Sequence, residues 1–148
     1  GKIVDLSVTD ANNMGAAMAP AAAQTFIDYF ADTNTKPSDY DAVFTGDLGL
    51  VGSRSLYDLL SLENIDLEPK HYDCGMMIFD LEGQDVHAGG SGCGCAGSVF
   101  CSEILNSVNS GKYNNILFMA TGALMSPTSS GQGESIPSVA HLINIKLR

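Results

Sequence analysis

Basic residues are scarce in this 148-residue chain: 7 Lys and Arg stand against 17 Asp and Glu, a formal net charge of -10. Such a field repels phosphate backbones and anionic lipid headgroups, so nucleic acid is excluded as a partner and a small anion has to be held by local donors. No continuous apolar run reaches the roughly 18 residues of a membrane helix, and no charged-then-apolar leader opens the sequence. A domain that is soluble, or at most peripheral to a membrane, is expected. Cysteine is also sparse, and three of the four are crowded at Cys93, Cys95 and Cys101, which does not resemble a secreted disulfide framework and points to a reducing cytosolic setting. The length suits one domain able to bury a core without staples. No internal repeat or low-complexity segment is present.

What the chain does have is a glycine-rich, cysteine-bearing stretch from Gln84 to Cys101. The run Gly89-Gly90-Ser91-Gly92-Cys93-Gly94 passes into a segment, Ala96 to Val108, with helical character. A glycine loop feeding a helix N-terminus presents backbone N–H groups and the positive end of the helix dipole, a ready place for an anion or oxyanion.

The remaining elements follow from apolar spacing. Lys2 to Val8 alternates as a strand. Met14 to Ala31 is an Ala-rich buried helix capped by Asn12 or Asn13; Pro20 within it implies either a true start near Ala19, the favoured reading, with the proline in the first turn, or a kinked helix. Asp41 to Gly46 is a short strand, Ser53 to Leu62 a second helix, and Asn64 to Tyr72 a loop. Ile116 to Gly122 is a strand covered on both faces. Ala123 to Ser138 is loop, and His141 to Leu147 a last strand hairpinned back. The order predicts an α/β layer fold.

Among residue types that carry chemistry, His87 enters the glycine loop, where it can donate to a carboxylate, act as a general base, or merely satisfy loop carbonyls. Cys93 and Cys95 flank a single glycine; with His87 they suggest zinc, but the spacing departs from the usual two-residue gap. A reactive thiol at a helix N-terminus and a small cysteine packed beneath a tight loop are the other readings. Cys101, on the following helix, is expected to face the core. Ser126, Thr128, Ser129, Ser130, Gln132 and Glu134 form a polar loop between the last two strands.

Four phrases carry a family resemblance: Asp10-Ala-Asn-Asn-Met-Gly-Ala-Ala-Met-Ala-Pro-Ala-Ala22, Tyr40-Asp-Ala-Val-Phe-Thr-Gly-Asp-Leu-Gly49, Gln84-Asp-Val-His-Ala-Gly-Gly-Ser-Gly-Cys-Gly-Cys95, and Thr121-Gly-Ala-Leu-Met-Ser-Pro127 through Gln132-Gly-Glu-Ser-Ile-Pro137. Together they resemble the C-terminal half of the stage V sporulation protein AD family. The resemblance implies half of a thiolase-like fold, a mixed five-stranded sheet with helices on its faces, making one half-domain over residues 1–148. It implies a ligand-binding role in the sporulation system that takes dipicolinic acid, with calcium, into the forespore. The expected setting is cytoplasmic and peripheral to the forespore membrane. The implied partners are the other proteins of that membrane complex, the missing N-terminal half, and a second copy in a homodimer.

His87, Gly89, Gly90, Ser91, Cys93 and Asp47 are the pocket candidates, with no catalytic residue, cofactor or metal. Asp47 and Asp85 are offered as calcium ligands if the chelate binds whole. The alternative is an acyl-thioester transferase or condensing enzyme of the thiolase group, with His87 as base and a nucleophilic cysteine in the missing half. Where such enzymes carry a histidine after the second strand, this chain reads Thr45-Gly46-Asp47, and an aspartate is a poor neutral donor to a thioester oxygen. Binding by this piece alone is expected to be weak or absent.

Overall fold

A computed structural model describes residues 1–147. Its centre is a mixed five-stranded sheet in the order β1-β5-β4-β2-β3, from Ile3–Val4 (β1), Ala42–Thr45 (β2), His71–Asp73 (β3), Asn115–Ala123 (β4) and Ser138–Lys146 (β5). β2 runs parallel to both β3 and β4, while β4–β5 and β5–β1 are antiparallel. The expected five-stranded mixed sheet with helices on its faces is therefore present.

One face carries α1 (Met14–Thr33) and α2 (Gly49–Ser61). Val43, Leu117, Met119 and Ala140 from the strands pack there on Ala19, Ala22, Phe26, Leu56 and Leu60. Asn13 caps α1, its side chain accepting from Ala16 N at 3.2 Å, and Asn34 closes it in the left-handed region at φ 52°. The helix does not start near Ala19: Pro20 lies inside it. The bond forfeited at Ala16 is offset by burial of Ala17, Met18 and Ala19, none more than 4% exposed. α1 and α2 touch backbone to backbone, because a Cβ on Gly15 would stand 2.4 Å from the Leu48 carbonyl oxygen. That contact presses the turn after β2 against the start of α1.

The other face is covered by a single composite helix. α3 (Cys74–Met77) is one turn; after the glycine loop, α4 (Cys95–Val99), a π turn (Phe100–Ile104) and α5 (Leu105–Asn109) run on continuously. Cys95, Val99, Ile104 and Val108 face Ala42, Phe44 and Ile116. The five-residue step from Val99 to Ile104 does not suit an α-helix, and the wider π turn absorbs it. Cys101 is left outside: it is exposed, not core-facing as the sequence suggested. Beyond this helix the sheet face is uncovered, with Ile143 52% and Ile3 79% exposed.

Three further differences concern element limits. The first strand is only two residues long, Ser7 turning the chain at φ 60°. The supposed loop before Tyr72 ends in β3, too short for alternation to reveal. The loop after β4 contains α6 (Pro127–Gly131), capped by Ser126 Oγ, which accepts from Ser129 N at 3.1 Å. No helix among the described residues is long and apolar enough to cross a membrane.

Candidate functional site

The connections decide where a ligand has room. β2 leaves through α2 toward β3 on one face, and β3 returns across β2 to β4 through the glycine loop and α4–α5 on the other. At the carboxyl ends of β2 and β4 the chain departs in opposite directions, the usual position of a binding crevice in α/β sheets. Two recesses flank this point. One, of about 370 Å³, is lined by Met14, Met18, Asp47, Ser91, Cys93 and Thr121 among others. The second, of about 490 Å³, is lined by Asn12, Asn13, Asp47, His87, Gly89 and Ser91 among others.

Asp47 stands between them and organises both. Its Oδ2 accepts from Ser91 Oγ and from Gly92 N, each at 2.9 Å. Oδ1 accepts from Thr121 Oγ1 at 2.9 Å, and the Asp47 N–H donates to the same hydroxyl oxygen at 3.1 Å. The carboxylate thus ties the end of β2 to the end of β4 and pins the tip of the glycine loop. Thr121 was not among the sequence candidates; only its place at the end of an apolar strand hinted at it.

The loop is stitched rather than open. Gly89 N donates to the Val86 carbonyl at 2.9 Å and Gly90 N to the Gly75 carbonyl at 2.7 Å. Gly89 has φ 111°, and a Cβ there would sit 2.4 Å from the Gly75 oxygen, so both conformation and space demand glycine. The N–H groups of Gly89, Gly90 and Gly92 are therefore spent internally, contrary to the expectation of a donor-lined cradle. Those of Ser91, Cys93, Gly94, Ala96 and Gly97 make no hydrogen bond among the described residues, and no side chain caps α4.

His87 projects outward, its side chain 90% exposed and Nδ1 3.7 Å from Asp85 Oδ1. Its backbone is left-handed, at φ 50°. Cys93 is exposed at the recess, whereas Cys74 and Cys95 are buried beneath it. Burial pushes the Cys74 thiol up to about 12 and raises that of Cys95, so neither is a ready thiolate at neutral pH. No group of three His, Cys, Asp or Glu side chains among the described residues is arranged to hold a metal ion.

A buried polar chain behind the turn was invisible in the sequence. Asp73, 2% exposed, accepts from Thr45 Oγ1 at 2.6 Å, Leu48 N and Gly49 N at 2.9 Å, and Met76 N at 3.3 Å. Thr45 Oγ1 lies 2.7 Å from His71 Nε2, and His71 Nδ1 lies 2.7 Å from Tyr57 Oη. Burial raises the Asp73 pKa while its four donors oppose the shift. Desolvation lowers His71 to about 4, so the ring is neutral at pH 7. The only sequence signal was an Asp directly before a helical turn, which fits an N-cap.

Comparison with known proteins adds the lineage. The family model "Stage V sporulation protein AD (SpoVAD)" matches residues 1–146. The chain belongs to the stage V sporulation protein AD family. It is 47% identical over 141 residues to stage V sporulation protein AD of Bacillus subtilis (strain 168), covering 95% of this chain. The chain spans 41% of that relative's length. Membership in the stage V sporulation protein AD family supports a role in sporulation, and the match includes the whole Asp47–glycine loop assembly.

Proposed function

We propose that the chain is a non-catalytic, ligand-binding part of a sporulation protein, and that the ligand is dipicolinic acid carried as its calcium chelate. The observation that supports this most is the lining of the two recesses. They offer hydroxyls, amides and unspent N–H groups around Asp47, and no lysine or arginine. A free aromatic dianion would meet the Asp47 carboxylate with no cation to offset it. A chelate whose calcium cancels the two carboxylates avoids that repulsion, and the carboxylate is then an asset. Ser91 and Cys93 line one recess and Ser91 and His87 the other, so Ser91 is the contact common to both, with the Asp47 carboxylate between them.

The uncovered sheet face around Ile3 and Ile143 supports a partner on that side: the N-terminal half of a thiolase-like fold, or a second copy. In this reading the protein works at the forespore membrane with the other proteins of the uptake complex. The raised thiols of Cys74 and Cys95 count against acyl transfer by this part of the protein.

Calorimetric titration tests the reading, with the 148-residue chain and the full-length Bacillus subtilis relative measured in parallel. Saturable binding of calcium dipicolinate to the full-length protein, tighter than for dipicolinate with a chelator, and weak or no binding by the short chain, is the expected result. Turnover of acyl-CoA, or a covalent acyl adduct on a cysteine, would replace it with the condensing-enzyme reading.

A further inference from the structure

The hydrogen-bonded chain Tyr57–His71–Thr45–Asp73 lines neither recess beside Asp47, yet its geometry has a direction. The Asp73 carboxylate can only accept, so the Thr45 hydroxyl, 2.6 Å away, is the donor in that bond. Thr45 Oγ1 then has no proton left for His71 Nε2, so Nε2 carries a hydrogen and donates to Thr45. His71 Nδ1 is consequently a lone-pair acceptor, and the Tyr57 hydroxyl donates to it. Every proton points inward, from the half-buried Tyr57 on α2 through edge strand β3 and back to β2. All of them converge on one carboxylate.

That carboxylate is in turn clamped on the peptide that follows Asp47. Leu48 N, which Asp73 Oδ2 binds at 2.9 Å, belongs to the peptide plane on the carboxyl side of the Asp47 Cα. On the amino side, Asp47 N is held by Thr121 Oγ1. With both flanking peptide planes fixed, the Asp47 Cα–Cβ bond is aimed at the loop, and from there Oδ2 meets Ser91 and Gly92.

We propose that Tyr57, His71, Thr45 and Asp73 form a positioning relay that orients Asp47 and thereby holds the Ser91–Cys93 loop over the recess. The four are positioning residues and touch no ligand. The relay shares its recess with the ligand reading, but its test needs no ligand, so the two can fail separately.

The test is amide exchange by NMR on the full chain, following Gly92, whose N–H reports the Asp47 bond, against Leu117 in the β4 ladder, which reports overall opening. Thr45→Val keeps the shape and removes both hydroxyl contacts. It is expected to speed Gly92 exchange by about tenfold or more relative to Leu117, and Thr45→Ser to restore the parental ratio. Tyr57→Phe, which deletes only the outer hydroxyl and leaves the core filled, is expected to speed Gly92 in the same sense by a smaller factor. Nitrogen shifts of His71 should show hydrogen on Nε2 and none on Nδ1. An unchanged Gly92-to-Leu117 ratio in Thr45→Val and Tyr57→Phe would overturn the relay, as would hydrogen on Nδ1 alone.

Discussion

Replacing Asp73 by alanine should be among the most damaging single changes in this protein. The side chain is 2% exposed and receives four hydrogen bonds, three from backbone N–H groups and one from Thr45. Each buried donor left without a partner costs about 1–3 kcal/mol. Two of the backbone donors open α2 and the third opens α3, so two helix starts lose their anchor together. Removing a carboxylate whose pKa burial has raised returns part of that loss. The net destabilisation should be about 3–5 kcal/mol, a large share of the roughly 5–15 kcal/mol typical of a domain. Asp73→Asn keeps the shape and turns its amide toward only two of the four donors, so about 2 kcal/mol is expected. Urea titration followed by far-UV circular dichroism, extrapolated linearly to water, measures both. An alanine variant within about 1 kcal/mol of the parent, or less damaging than the asparagine variant, would refute the account.

Gly89→Ala should cost about 2 kcal/mol, because the new methyl meets the Gly75 oxygen and φ 111° disfavours a side chain; an unchanged denaturation midpoint would contradict it. His71 supplies a pH prediction. Its folded pKa of about 4 lies below the ordinary 6.5, so between those values the unfolded chain binds more protons and stability falls as pH falls. The loss approaches a few kcal/mol near pH 4, at about 1.4 kcal/mol per unit. His71→Gln cannot titrate, so its stability profile should be flatter over that window than the parent's, and parallel profiles would sink the assignment. Asp47→Asn should leave the fold intact while raising the reactivity of Cys93 toward a maleimide severalfold, since one anchor of Ser91 and Gly92 is weakened; equal rates would argue that the loop is held by other contacts.

Much of this protein could be read from local order. The Asn13 cap, the apolar spacing of α1 and α2 and the continuous apolar run of β4 are set by neighbours within a few residues, and periodicity reports them. The glycine loop was legible for the same reason, and so was the adjacency of His87, Gly89, Gly90, Ser91 and Cys93. What periodicity cannot report is a partner far along the chain. Pro20 stands inside a helix because sheet packing on either side of it outweighs one lost bond. Cys101 turns outward because a π turn re-phases the helix to suit Ile104.

The same division holds at the recess. The sequence by itself determined the residues of the loop, since they are consecutive. Only the tertiary structure decided that Asp47 is the clasp of that loop, because its acceptors serve groups 44, 45 and 74 positions away. It alone joined Tyr57, His71, Thr45 and Asp73 into one hydrogen-bonded chain. Burial and hydrogen bonding depend on what the folded chain brings alongside, and for these residues that came from distant strands, a helix and a loop.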